Sequence, residues 1–294
     1  MKKQLTTLFL TAAVLLMPFA LTSCGEDVQL NENGGGDDKP NKGTKFSSGG
    51  SGTRTTIDDM GLFYWQAGDK IWVDETGNGD FALMSDQITL GADHRTADFF
   101  FNGKDLTNKT YNLIYTGSNA TAGSQKTVTI ASSQKQKGFD NAEHIGTSGD
   151  CASATATQDA IGDYSFELEH KAHYLVLQPY KAAAFTEDWQ LMSIEITDLD
   201  GFSLCGTYNF DMSGLSNPTS TGSTVTVEMV NDAGASTPVS LPTAATNSVY
   251  VVIAPDDLNN RNLRIRYTLK RPSGGVWGRT DGVFSVTKDI SFRP

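Results

Sequence analysis

The chain has 294 residues, enough for one large or two ordinary domains and for a sizeable core. Its 15 Phe, 9 Tyr and 4 Trp exclude disorder throughout. Its 23 basic and 34 acidic side chains, a net charge of -11, exclude the broad cationic surface that nucleic acid requires.

Met1-Lys2-Lys3 is a positive n-region, and Leu5 to Leu21 is a mostly apolar h-region broken by Pro18. That length and that proline fit an export signal better than a membrane span. The h-region ends in Leu21-Thr22-Ser23-Cys24-Gly25, which resembles a bacterial lipobox. Residues 1–23 are therefore expected to be removed and Cys24 to carry lipid, with several acyl chains giving stable membrane anchoring. The export route permits disulfides, and Cys151 and Cys205 remain, either as two thiols or as one disulfide. In the chain-entropy view such a disulfide would be worth about 4 kcal/mol. Their separation fits neither a metal site nor a redox pair.

Residues 24–53 are rich in glycine and polar side chains, with only Val28, Leu30 and Phe46 as larger apolar residues. Burial on that scale does not offset ordering entropy, so this stretch reads as a flexible tether or propeptide.

From Arg54 onward alternation with a period of two dominates. Strands are expected over residues 70–74, 81–84, 97–101, 110–116 and 126–131, and again over 164–169, 172–178, 192–197, 223–230, 248–254, 262–270 and 282–292. Phe166 and Leu168 share one face of their strand while Ser165, Glu167 and Glu169 share the other, the division a half-buried antiparallel strand needs. Only residues 182–189 suggest a helix, of two turns at most, and βαβ units are absent, which argues against a doubly wound sheet. The weakest patterning, residues 132–163, suggests a boundary between an N-terminal sandwich over 54–159 and a C-terminal one over 160–294.

Residues that could carry chemistry are few. No nucleophile elbow, zinc helix or phosphate loop occurs. Of His94, His144, His170 and His173, the last two lie three apart and point to opposite faces of a regular strand, so a shared metal is not expected. Asp74 to Asp80 has the composition of a calcium loop, but Ser85 stands where an EF-hand needs glutamate, and a glycine-rich hairpin fits better. Glu167 and Glu169 could reach one ligand as a glycosidase pair would, though a solvated face explains them more simply. Trp72, Trp189 and Trp277 could form a carbohydrate platform if exposed, and otherwise belong to the core. No catalytic residue, metal or cofactor is expected.

Trp65-Gln66-Ala67-Gly68-Asp69-Lys70-Ile71-Trp72-Val73 resembles the W-x-x-G-D-x-I-x-V opening of fimbrillin-like proteins of Bacteroidetes. Phe166 to Ala172, Ile194-Glu195-Ile196 leading to Leu204-Cys205-Gly206, and Tyr250 to Pro255 follow in that family's order. Glu26 and Asp27 behind Cys24 also resemble the surface-export signals of Bacteroidetes lipoproteins. The resemblance implies an all-β chain of two tandem transthyretin-like Greek-key sandwiches, used as a type V pilus subunit, anchor or related adhesin rather than an enzyme.

It implies a surface-exposed outer-membrane lipoprotein, whose partners are the membrane through Cys24, fimbrial subunits of the same or related type, and a host or bacterial surface ligand. It further implies assembly by strand complementation, in which a cut after an arginine removes an N-terminal segment and opens a groove for the next subunit's strand. Arg54 is the first arginine after Cys24 and matches that position. The sparse apolar content of residues 25–53 argues against a plug there. The C-terminal segment sets Phe284, Val286, Ile290 and Phe292 on one face, as either a strand of its own domain or one donated to a neighbour. The alternative function is a glycan-binding surface lipoprotein of an uptake system.

Overall fold

The computed structural model describes residues 12–15, 43–49, 64–118, 120–185, 187–255, 258, 261–271 and 282–292. Within these the regular structure is all β. The strands are β1 (Ala12–Leu15), β2 (Gly43–Ser48), β3 (Trp72–Val73), β4 (Leu83–Met84), β5 (Gln87–Leu90), β6 (Ala97–Asn102) and β7 (Thr110–Tyr115). They continue with β8 (Thr127–Ile130), β9 (Ser133–Lys137), β10 (Ala152–Gln158), β11 (Tyr164–Phe166), β12 (Glu169–His170), β13 (His173–Pro179) and β14 (Gln190–Asp198). The last are β15 (Cys205–Asp211), β16 (Gly214–Gly222), β17 (Thr224–Val230), β18 (Val239–Ser240), β19 (Val249–Ile253), β20 (Asn262–Lys270) and β21 (Val283–Ser291). Residues 182–189 form no helix among the described residues.

A nine-stranded sheet runs β4-β3-β7-β10-β11-β2-β6-β5, with β12 alongside β10. Its inward faces build an aromatic core of Phe46, Trp65, Phe99, Phe101, Tyr111, Tyr115, Tyr164 and Phe166. A six-stranded sheet, β21-β20-β14-β17-β9 with β18 beside β14, packs with two three-stranded sheets, β16-β15-β8 and β1-β13-β19, around a second core. Both large sheets are mixed, because β2 runs parallel to β11 and β9 parallel to β17.

Each expected strand coincides with an observed one, but the expected division at residues 159 and 160 does not separate the sheets. β10 and β11 pair across it, Gln158 opposite Tyr164. β8 and β9 instead leave the first sheet to pair with β15 and β17. After β1, which pairs with β13, and the strands β2 to β7 of the first sheet, the chain passes to the second unit at β8, returns for β10 to β12, and crosses again at β13.

The tether expectation also changes. Residues 43–48 form β2, in the middle of the first sheet, antiparallel to β6 and parallel to β11. Thr44, Phe46 and Ser48 alternate inward, and Phe46 is fully buried. One aromatic ring with two small hydroxyl residues is too little for a hydropathy signal, yet it matches the slot it fills.

Candidate functional site

The slot holding β2 is built by pairing on both sides and by specific side-chain contacts underneath. The Phe46 ring stacks on Tyr164, with centroids 4.5 Å apart and planes at 9°, and meets Phe101 edge-on at 5.1 Å. The Thr44 hydroxyl donates to the Lys104 carbonyl at 2.9 Å and accepts from the Leu106 N–H at 3.0 Å. At the other end the Ser48 hydroxyl accepts from the Ala97 N–H at 2.8 Å and from the Trp65 indole N–H at 2.9 Å.

The opening motif thus has a structural role. Trp65 reaches β2 directly, Gly68 supplies a positive φ of 114° at the turn, and Asp69 accepts from the Gln66 N–H at 2.7 Å. The Tyr115 hydroxyl donates to the other Asp69 oxygen at 3.2 Å.

The C-terminal strand β21 forms one edge of the six-stranded sheet and pairs with β20 from Asn262↔Ser291 to Lys270↔Val283. Phe284, Val286, Ile290 and Phe292 are partly buried against the second core, and the Phe284 ring meets Trp189 edge-on at 4.4 Å. β21 is therefore seated in its own unit while occupying a peripheral position.

A different device closes one edge of the β1-β13-β19 sheet. Gln134 and Gln136, alternate residues of β9, are buried and turned toward β19. The Gln134 side chain accepts from the Val252 N–H at 3.0 Å and donates to the Val252 carbonyl at 2.7 Å. Gln136 accepts from the Tyr250 N–H at 2.8 Å and donates to the Ser248 carbonyl at 3.0 Å. Asp140 accepts from the Ser248 N–H at 2.5 Å, and His144 Nε2 donates to the Tyr250 carbonyl at 3.1 Å. The outward backbone groups of residues 248, 250 and 252 thereby find partners in side chains instead of a neighbouring strand. No hydropathy pattern announces this, since the residues doing it are amides, an acid and an imidazole.

Because a carbonyl only accepts, His144 carries a proton on Nε2. Burial lowers its pKa from 6.5 to about 4, although the Tyr250 carbonyl bond opposes the shift. With the folded value below the unfolded one, this contribution to stability is complete above about pH 6.5 and declines as pH falls toward about 4. Acidification to about pH 4.5 is expected to cost the native chain about 2–3 kcal/mol more than it costs His144→Gln. Urea unfolding of both proteins at about pH 7 and at about pH 4.5 measures this, and equal acid sensitivity would refute it.

The other singled-out residues fall mainly into structural places. Cys24 and Arg54 lie outside the described residues, as does Trp277. Cys151 and Cys205 are free thiols, not the disulfide weighed from sequence, and both are buried. Cys151 precedes β10 at the seam between the cores, whereas Cys205 begins β15 and donates to the Gly222 and Thr224 carbonyls, each at 3.3 Å. Burial raises both thiol pKa values, for Cys151 reinforced by the Asp150 charge. Peptide mapping after iodoacetamide treatment is expected to find both unlabelled in the folded protein and labelled after unfolding. Labelling of either under native conditions would contradict that placement.

His170 and His173 diverge: His170 Nδ1 lies 2.8 Å from the fully buried Asp150 carboxylate, and His173 is exposed. The Tyr174 hydroxyl donates to the same Asp150 oxygen. Burial first, and Asp150 second, push the Tyr174 pKa well above its ordinary value. His94 occupies an exposed turn with a φ of 57°. No group of three potential metal-ligating side chains occurs among the described residues.

In the Asp74 loop, one carboxylate oxygen accepts from the Gly77 and Asn78 N–H groups at 2.9 and 3.2 Å, the other from Gly79 at 2.8 Å. The carboxylate thus organises the β3–β4 hairpin through its own backbone. Glu167 and Glu169 are exposed, and Glu169 pairs with Lys171 at 2.8 Å. Trp72 and Trp189, offered as carbohydrate platforms, are 1% and 4% exposed and therefore belong to the core.

Comparisons with protein-family models, with curated proteins and with solved structures find no match for this chain. Its all-β architecture is established by its own sheets.

Proposed function

We propose that this chain is a structural or adhesive subunit of a type V-like fimbrium, built as transthyretin-like Greek-key sandwiches and assembled by β-strand complementation. Lipid on Cys24 holds it at the outer membrane before assembly. The observation carrying this reading is β2, a strand in mid-sheet whose last residue, Ser48, lies six residues before Arg54. A cut after Arg54 severs β2 from the rest of the chain and leaves a slot between β6 and β11, floored by aromatic rings. The resident plug is short and carries one large side chain, so it is replaceable. A neighbour's β21, with its alternating Phe284, Val286, Ile290 and Phe292, supplies the replacement.

Intact-mass analysis of the native surface protein tests the reading, because lipid on Cys24 and a new N-terminus at Thr55 give distinct masses. Surface filaments containing this chain without residues 24–54 are the expected result. Filaments whose subunits retain residues 43–48 would defeat complementation at this slot, and absence of the chain from filaments would defeat the fimbrial role.

A further inference from the structure

We propose that Lys288 guards the outer edge of β21, an inward-directed cation that bars a second copy of this chain from pairing there, β21 against β21 in antiparallel register. The inference does not depend on the fimbrial reading.

Backbone direction defines the edge. The Phe292 N–H donates to the Arg261 carbonyl and the Arg271 N–H to the Gly282 carbonyl, both at 2.9 Å, so the even-numbered residues of this segment turn their backbone groups toward β20. Direction alternates along a strand, so Ser285, Thr287 and Asp289 turn theirs away from β20, to a side where no described strand pairs. The edge strand is 9 residues long, enough to template the addition of another strand.

All but one of the inward side chains favour such an addition. Phe284, Val286, Ile290 and Phe292 pack against the second core, and Lys288 stands in the middle of them, partly buried and opposite Ile265, which is 1% exposed. No ion pair involves Lys288 among the described residues. Asp289 and Glu195 of the same sheet pair instead with Arg264 and Arg266 on the outer face, at 2.8 and 2.7 Å. An inward lysine is tolerated at an edge because its stem covers apolar surface while its charged head reaches water past the open side. A strand added on that side closes the route and leaves a buried charge without a partner.

A second copy does not supply the partner. Residues opposite one another in an antiparallel pair share a face, so Lys288 would meet only the inward residues of the other β21. Those are Phe, Val, Lys, Ile and Phe, whereas Asp289 lies on the opposite face. The same constraint bears on the β2 slot, whose inward positions are 44, 46 and 48. With Phe284 or Phe292 in the place of Phe46, in either strand direction, Lys288 falls beyond the ends of β2, so entry there does not bury it.

Sedimentation velocity on the full chain tests the guard, comparing native protein with Lys288→Met, Lys288→Leu and Lys288→Arg, with amide hydrogen exchange to locate any contact. The two neutral variants are expected to keep a native-like melt and to self-associate at least about tenfold more strongly than the native chain, about 1.4 kcal/mol. Exchange at Ser285, Thr287 and Asp289 should slow in them as protein concentration rises. Lys288→Arg retains the charge and should match the native chain. Neutral variants that associate no more than the native chain, equal association of Lys288→Arg, or association that leaves those three amides unprotected would overturn the proposal.

Discussion

Phe46→Ala is expected to destabilise the first unit by about 3–5 kcal/mol, the range for truncating a fully buried phenylalanine. Phe46 is 0% exposed and packs against Tyr164, Phe101 and Tyr111. Its loss leaves a cavity in the centre of a sheet, where strands paired on both sides restrict collapse. A residue in a solvated tether would give a change near zero, so urea denaturation of the uncut protein separates the two cases. Lys45→Ala is the useful comparison, because that side chain faces the other way and its 3.0 Å contact with Asp163 is about one-third exposed on both partners. It should cost under about 1 kcal/mol. Equal small effects for both substitutions would remove β2 from the core and, with it, the basis for complementation at this slot. A large effect of Phe46→Ala together with loss of that effect after cleavage at Arg54 is the expected pair of results.

β2 also shows where sequence reading stops. Alternation located strands with bulky inward residues, such as β7, β14, β17 and β20, because Leu, Ile, Val and aromatic side chains at every second position mark a buried face. It missed strands whose inward residues are small or polar. In β10 the inward positions include Ala152, Ala154 and Ala156, which fill narrow space without a strong hydropathy contrast. In β9 they are Gln134 and Gln136, whose burial is supported by hydrogen bonds to the backbone of a distant strand. Both strands fall within residues 132–163, so weak patterning there does not mark a gap between sheets. The β15–β16 hairpin was missed for a related reason: β16 exposes most of its Ser, Thr and Asn side chains.

The candidate site was legible in outline. The apolar face of β21 and the position of Arg54 are sequence features, but β2 is hidden because one phenylalanine between Thr44 and Ser48 gives no window average. The cysteines mark another limit, since pairing depends on three-dimensional approach of Cα and Cβ atoms, which spacing along the chain does not determine.

Deleting residues 283–294 is expected to leave a folded monomer that is weakened by about 4 kcal/mol and can accept a neighbour's strand but no longer donates one. The stability estimate treats Phe284, Val286, Ile290 and Phe292 as about half-buried, each contributing about 1 kcal/mol of transfer free energy. Exposed contacts such as Arg264 with Asp289, at 2.8 and 2.9 Å, add little. A domain stability of about 5–15 kcal/mol survives that loss. β20 then becomes the sheet edge, still paired with β14 from Gln190 to Asp198. Trp189 loses the Phe284 ring, so its fluorescence should shift toward that of a solvated indole. A Trp189→Phe background identifies that signal among the other tryptophans. The polymerisation assay uses protein beginning at Thr55, with and without the terminal segment, in the presence of intact subunits. Undiminished incorporation of the shortened protein at both of its ends would sink the donor assignment for β21. Global unfolding of the shortened protein would show that β21 is integral to the second unit and would also sink it, because a strand that leaves its own sheet to join a neighbour must leave a folded domain behind. A stable, weakened monomer that accepts an intact subunit's strand but donates none is the result that strand exchange requires.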